Sequence, residues 1–297
     1  MSELLTLTPE GLYCPEAKAH IDPVRPVEKA IITHGHADHA RAGHGAVLAT
    51  GQTLDIMAIR YGSGFCGQAQ AIKYGEQLTV GGVNVSLHPA GHVLGSAQVL
   101  LAAQGERTVV SGDYKRQADL TCAPFELVPC DTFVTEATFG LPVFRHPPAQ
   151  QEVAKLLTSL ELFSGQTHLV GAYALGKAQR VIAELRAAGY SKTIYLHGAL
   201  EKLCAYYQTQ GVDLGPLELV GRRGKELQGE IVMCPPGQLS DRWSRRFGDP
   251  VAAMASGWMR VRARARQRGA ELPLILSDHA DWDDLCRTIL ETGAERI

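Results

Sequence analysis

The string "THGHADHARAGH", residues 33 to 44, constrains this chain more than any other stretch. It puts four histidines and one aspartate within twelve residues, directly after the apolar run "AII". Polar groups of this kind gather where a strand leaves its ladder, on the rim of a sheet. His34 and His36 are two apart, so on an extended backbone both point the same way and their rings can share one ion. Asp38 and His39 follow at once, where "ADHARAG" is expected to open a helix; a turn would aim them at a second point nearby. Nitrogen and carboxylate donors in this mixture suit Zn2+, in one or two ions, with Mn2+ as the alternative activating metal. Such a cluster needs further ligands, so the fold has to carry distant loops to the same rim. His92, behind Gly91 after the strand "VNVSL", and Asp113 in "VVSGDYKR" are the candidates. One histidine alone reads as a surface loop residue; the spaced set points to metal. His20, His44, His88 and His168 are read as structural or solvated.

The surroundings of the cluster are those of an ordinary globular chain. Of 297 residues, 45% are hydrophobic and 20% charged, enough for one large core or two modest ones. The formal net charge of −2 excludes a polycation, so any grip on nucleic acid must come from local basic patches. Seven cysteines are scattered without a CxxC pair, which speaks against a disulfide framework and for a reducing compartment. The start "MSELLTLTPEG" lacks a basic, then apolar, secretion signal, and no window reaches the roughly 18 apolar residues of a membrane span. A soluble intracellular protein is expected.

Short β-type runs fill the first part: "KAIIT", "GAVLAT", "EQLTV", "VNVSLHPA", "AQVLLAA", "RTVVSGD" and "DTFVTEA". Several are apolar throughout, as for strands covered on both faces. The texture changes at "LPVFRHPPAQ". There "QEVAKLLTSLELF" spaces Val153, Leu156, Leu157, Leu160 and Phe163 as a helix does, and strands and helices then alternate. The expected division is residues 1–146, an inserted α/β unit at 147–262, and a return to the first domain at 263–297.

With these residues assembled, the chain resembles the metallo-β-lactamase superfamily: an HxHxDH string, a later lone histidine after glycine, and a later aspartate after glycine. The resemblance implies an α/β fold, an αββα sandwich with a metal centre on its rim. It also implies roles. His34, His36 and His92 would hold one metal, Asp38 and His39 a second, and Asp113 would bridge them. Asp22 in "HIDP" would orient the ligands from behind; a plain turn residue before Pro23 is the lesser alternative. "FVTEATFG", with Glu136, and "SDHADW", with His279, resemble two motifs of the nuclease branch that carries a β-CASP insertion. "HVLGSAQ", "SGDYKRQ", "YALGKAQR" and "SGWMR" look most like bacterial exonucleases associated with DNA ligase, relatives of the SNM1/Artemis repair nucleases. In β-CASP RNA nucleases another histidine follows the strand after the "DHADW" helix. Here "AERI" ends the sequence before such a residue; either the chain is cut short or it does without that ligand, as SNM1 enzymes lack a histidine there.

The resemblance implies a cytoplasmic, nucleoid-associated, metal-dependent DNA exonuclease acting on single strands or ends. DNA ligase and a helicase would be its partners. Alternatives are a β-CASP RNA nuclease, a weakly catalytic nucleic-acid-binding component of a ligase complex and, more remotely, a small-molecule hydrolase. Metals would polarise the phosphoryl oxygens and lower the pKa of water. Asp113 would position that water, Asp38 accept its proton or ligate, and His279 protonate the departing oxygen; Glu136 is the acidic member of the same set. For the substrate, Lys177 at a helix start and Thr138 near the acidic motif would take a terminal phosphate, as the SNM1 likeness implies; an ordinary exposed lysine is the plain alternative. Lys115 and Arg116 lie beside Asp113 in sequence. "RVRARARQR" lines up Arg260, Arg262 and Arg264 on one face if extended, and scatters them if helical.

Overall fold

The structure, a computed structural model, describes residues 4–297. Two compact units emerge: the first runs to Leu141 and resumes at His279–Ile297, and the second is Pro142–Asp278.

The first unit is built on two sheets. One orders β1 (Thr6–Thr8), β2 (Gly11–Cys14), β3 (Ala19–Ile21), β4 (Lys29–Ile31), β5 (His44–Ala49) and β6 (Cys66–Ala71) side by side. The helix α1 (Gly51–Tyr61) links the last two, and Thr50 caps it by accepting from the Thr53 N–H. The other sheet runs β11-β10-β9-β8-β7, from β7 (Gln77–Val80), β8 (Val83–Pro89), β9 (Ala97–Ala103), β10 (Glu106–Val110) and β11 (Thr132–Val134).

Side-chain alternation explains the layers. Val83, Val85 and Leu87, two apart on β8, join Val99 and Leu101 of β9 in a core shared with Ile21, Ile31 and Leu48 of the facing sheet. Leu100 and Val109 point the other way, onto a cluster with Leu285 of α6 (Trp282–Thr292), the returning helix. Ala30, Ile32 and Val47 likewise meet Leu54 and Met57 of α1. Strands β4 and β9 are therefore apolar on both faces, which is why their sequences read as unbroken runs. The layers are helix, sheet, sheet, helix.

Asp281 caps α6, accepting from the Asp284 N–H at 3.0 Å, and Gly293 ends it at φ 69°. Beyond it, the Phe133 N–H donates to Arg296 O at 2.9 Å, so the last residues lie along the β11 edge.

The second unit holds a parallel sheet in the order β14-β13-β15-β12-β16-β17. Its elements are α2 (Ala149–Leu162), β12 (His168–Gly171), α3 (Lys177–Ala187), β13 (Ile194–Leu196), α4 (Gly198–Thr209), β14 (Leu217–Leu219), β15 (Ile231–Cys234), β16 (Val251–Ala255), α5 (Arg262–Gln267) and β17 (Leu272–Leu274). The central strands "HLVG" and "IVMC" are buried along their whole length. This unit runs to Asp278, past the expected boundary at 262, because β17 pairs in parallel with β16. "RVRARARQR" takes its helical alternative: α5 carries Arg262 and Arg264, and the Arg264 guanidinium lies over Trp258 at 4.5 Å from the ring centre. Arg260, just before it, reaches Val143 O at 3.4 Å. No helix among the described residues is long and apolar enough to cross a membrane.

Candidate metal centre

Strand β4 delivers the chain to the rim of the first unit, and residues 33–42 continue without regular structure. The expected helix over "ADHARAG" is instead a tight turn, with the His39 and Ala40 N–H groups both donating to His36 O. That turn folds His39 back beside His34, at 4.2 Å between ring centres.

His34, His36, His92 and Asp113 converge. His36 Nδ1 lies 3.1 Å from His34 Nε2 and 3.0 Å from His92 Nε2. Asp113 Oδ2 is 3.5 Å from His34 Nε2, 3.7 Å from His92 Nε2 and 3.5 Å from His39 Nε2. Four donors on a tetrahedral zinc with bonds near 2.0–2.1 Å stand about 3.3 Å apart. The observed edges bracket that value, so the residues present fit a divalent ion.

Two glycines make the approach feasible. Gly112, at φ 54°, backs onto Thr33, and a Cβ there would lie 2.7 Å from the Thr33 side chain. Gly91, at φ 71°, presents no Cβ to Lys115 O, which would otherwise stand 2.3 Å away. The loop after it is tied by Ser96 Oγ, which accepts from the N–H groups of His92 and Val93.

Behind the donors sits Asp22, itself in the left-handed region at φ 45°. Its Oδ1 accepts from the Thr33 N–H at 2.8 Å, and its Oδ2 from the Thr33 hydroxyl at 2.5 Å. Asp22 Oδ2 also bonds His39 Nδ1 at 2.8 Å, leaving His39 Nε2 turned to Asp113. Thr33 also reaches His34 Nδ1, at 3.0 Å. It is a supporting residue the motif does not announce; only its place before His34 marks it.

Electrostatics agree with a cation site. Burial drives His34 well below its usual value, helped by the neighbouring imidazoles, so it is a neutral ligand at pH 7. Burial also opposes charge on His39, but the Asp22 hydrogen bond and the Asp22, Asp113 and Asp38 carboxylates outweigh it and lift the ring to about 9. Burial raises Asp113 to about 6 against the pull of His279 and His39. A buried carboxylate under this stress is relieved by a cation.

A third group, Asp113, Glu136 and His279, adjoins the first. Glu136 Oε2 lies 2.9 Å from His279 Nδ1, and its Oε1 accepts from the Tyr114 N–H at 2.8 Å. The pairing fixes the ring and turns Nε2 away from Glu136. His279 stands 4.7 Å from His92, centre to centre. The Ala280 N–H donates to Tyr114 O, locking the chain just after His279.

Other expected residues are placed differently. Asp38 is 77% exposed, 3.9 Å from His39 Nε2, and belongs to none of these donor groups. Lys115 is buried. Arg116 pairs with Glu291 at 2.7 Å and lies over Phe125, so it braces α6. Thr138 is half-buried in the first unit. In the second unit, Lys177 is 4% exposed, with Nζ 2.8 Å from Asp278 Oδ1. Arg180 joins from the next turn of α3, 3.6 Å from the same oxygen and donating to Ser277 O. The lysine expected to face a terminal phosphate thus clasps the segment that leads into His279. His44 accepts from the Val27 N–H at 3.2 Å, the structural use expected of it.

No family model matches the chain. It is 29% identical over 292 residues to a "Probable DNA ligase" of Opitutus terrae, across 97% of this chain and 28% of that protein. It is 29% identical over 206 residues to a ribonuclease of Thermus thermophilus, across 59% of this chain and 47% of the other. With the endoribonuclease ysh1 of Aspergillus fumigatus it shares 33% over 143 residues, 46% of this chain and 16% of the other. The chain thus spans less than half the length of each of these relatives. In three dimensions it resembles a crystal structure of a protein of unknown function from Enterococcus faecalis, with a TM-score of 0.55 and 14% identity over 90% of this chain and 73% of that one. That likeness concerns the fold alone. Sequence and donor geometry together make the chain a relative of metallo-β-lactamase/β-CASP nuclease proteins, of both the DNA-ligase-associated and the RNA-processing kinds.

Proposed function

We propose that the chain is a metal-dependent phosphodiesterase that hydrolyses a nucleic-acid backbone. The observation that carries this is the convergence of His34, His36, His92 and Asp113 with the Glu136–His279 pair alongside. A divalent ion held there would polarise a phosphoryl oxygen and make water nucleophilic near pH 7. The chain's own residues do the rest. His34, His36, His92 and Asp113 would hold the ion, and His39, aimed by Asp22, places its Nε2 beside Asp113. Asp38, exposed at the rim 3.9 Å from His39 Nε2, would serve as a proton acceptor there. Glu136 holds His279 by Nδ1, so Nε2 is the atom that delivers a proton to the leaving oxygen.

The ribonuclease names among the relatives support RNA as the substrate. The Opitutus protein, matched across nearly the whole chain, favours DNA ends as the second reading, with DNA ligase and a helicase as partners. Zn2+ suits the donor set, and Mn2+ is the alternative. The deciding experiment digests labelled single-stranded RNA and DNA of one sequence with Zn2+ or Mn2+, each end blocked in turn. Cleavage of RNA alone establishes the first reading and cleavage of DNA alone the second. Metal-replete protein that cuts neither overturns the proposal.

A further inference from the structure

In the second unit, two irregular segments meet against the parallel sheet. One is the turn after Val220, carrying Arg222 and Arg223; the other is the 3-10 stretch Arg242–Phe247. Their backbones touch: a Cβ on Gly224 would stand 2.5 Å from Arg246 O. Beneath them, Val220, Leu227 and Phe247 pack with Leu169 and Val232 of the sheet, so the floor is part of the core. Asp241 caps the second segment, accepting from the Arg242 N–H at 2.6 Å.

Arg222, Arg242, Trp243 and Arg246 line one open hollow of about 520 Å³. Arg246 is already oriented: it donates to Gly221 O at 3.0 Å and Trp243 O at 3.2 Å, and lies 5.4 Å from the indole centre. Among the described residues no carboxylate pairs with Arg222 or Arg242, whereas neighbouring Arg223 is bound to Glu218 at 2.7 Å. Three guanidinium groups around one hollow, on a chain whose net charge is −2, repel one another until an anion enters. The hollow falls in the size range of small-ligand sites, and its lining pairs planar cations with an aromatic face. That combination matches a single nucleic-acid strand, with backbone phosphates against arginines and a base against an aromatic ring.

We infer that this hollow is a nucleic-acid-strand site separate from the metal ligands, with Arg222 and Arg242 taking phosphates and Trp243 facing a base. The strand's identity rests on the nuclease reading; the anion pocket itself does not. Neither arginine belongs to the metal site, and both are exposed, so their replacement leaves the fold intact.

The test uses the full chain with metal chelated, so that binding is measured without cleavage. Fluorescein-labelled 12-mers of U and of dT are titrated by anisotropy at several salt concentrations. The log–log salt slope for single strands is about −0.7 per phosphate contact. Arg222→Ala/Arg242→Ala should therefore flatten it by about 1.4 and weaken low-salt binding at least tenfold. A slope and affinity equal to wild type overturn the proposal, as does unchanged binding in Arg222→Glu/Arg242→Glu. With metal restored, hydrolysis of a small phosphodiester, bis(p-nitrophenyl) phosphate, should be unaltered in both variants. If no form of the protein hydrolyses any diester while the salt slope still flattens, the nuclease reading fails and the pocket stands.

Discussion

Lys177→Met should unfold the second unit more readily, and the structure sets the size of the effect. The Lys177 and Asp278 side chains are 5% and 6% exposed, and their charged atoms are 2.8 Å apart. Removing one partner of a buried pair costs about 3–5 kcal/mol, because the other charge stays buried without it. Arg180 remains 3.6 Å from the Asp278 carboxylate and compensates in part, so the loss belongs at the low end, about 3 kcal/mol. For a unit of this size that is a fall in Tm of roughly 10 °C. Urea and thermal unfolding, followed by circular dichroism on metal-stripped protein, keep ion binding out of the measurement. Replacing both partners, Lys177→Met with Asp278→Leu, should recover most of the loss, since an apolar pair of similar volume carries no desolvation cost. A single variant that loses less than about 1 kcal/mol, or a double variant no better than the single, would refute the claim that Lys177 is a buried structural cation.

Four further outcomes follow from the geometry. His279→Ala should keep its metal yet cut about 10²–10⁴-fold more slowly; near wild-type turnover in metal-replete protein would take His279 out of the chemistry. Asp113→Ala should lose both bound metal and cleavage, read by elemental analysis beside a digestion assay; retained metal would contradict its place among the donors. Asp22→Asn should weaken metal affinity about 10–100-fold without touching the ion itself, measured by competition with a chelating dye, and an unchanged affinity would count against its orienting role. His168, buried with Nε2 2.9 Å from Ser159 Oγ, is held below its usual value mainly by burial. Below about pH 6.5 the unfolded ring therefore takes up a proton that the folded ring resists. Stability is therefore full above about pH 6.5 and falls as pH drops towards the folded value, and His168→Gln should flatten that decline. A wild-type stability flat across that window would show that His168 contributes nothing.

The ligand strings were legible because metal chemistry restricts both residue type and spacing: "HGHADH" crowds together more donor atoms than a surface loop or a core has use for. The doubly covered strands were legible for a similar reason, since burial on both faces erases alternation and leaves runs such as "AQVLLAA". The loop around His36–Ala40 was not, because Ala, Asp and Arg suit a helix as well as a turn. What decides it is the pull of His39 onto Asp22, seventeen residues upstream. Lys177 was misleading in the same way. Its position at a helix start is visible locally, but its carboxylate partner lies 101 residues later, where no local signal marks it. "RVRARARQR" left two periodicities open, and packing of Ala265 with Met254 and Met259 selects the helix.

One hydrogen bond joins Glu136 to His279 across 143 residues of sequence. If the intervening chain were a random coil, closing that loop would cost about 4 kcal/mol, more than a single imidazole–carboxylate contact returns. That cost is met by more than this contact, because α6 packs on the sheet through Leu285 and the Ala280 N–H donates to Tyr114 O. Heat that loosens only the insert would set that closure cost against the Glu136–His279 pairing while leaving the His34–His36–His92 triangle in place, and under the proposed function such a chain would bind metal and turn over more slowly.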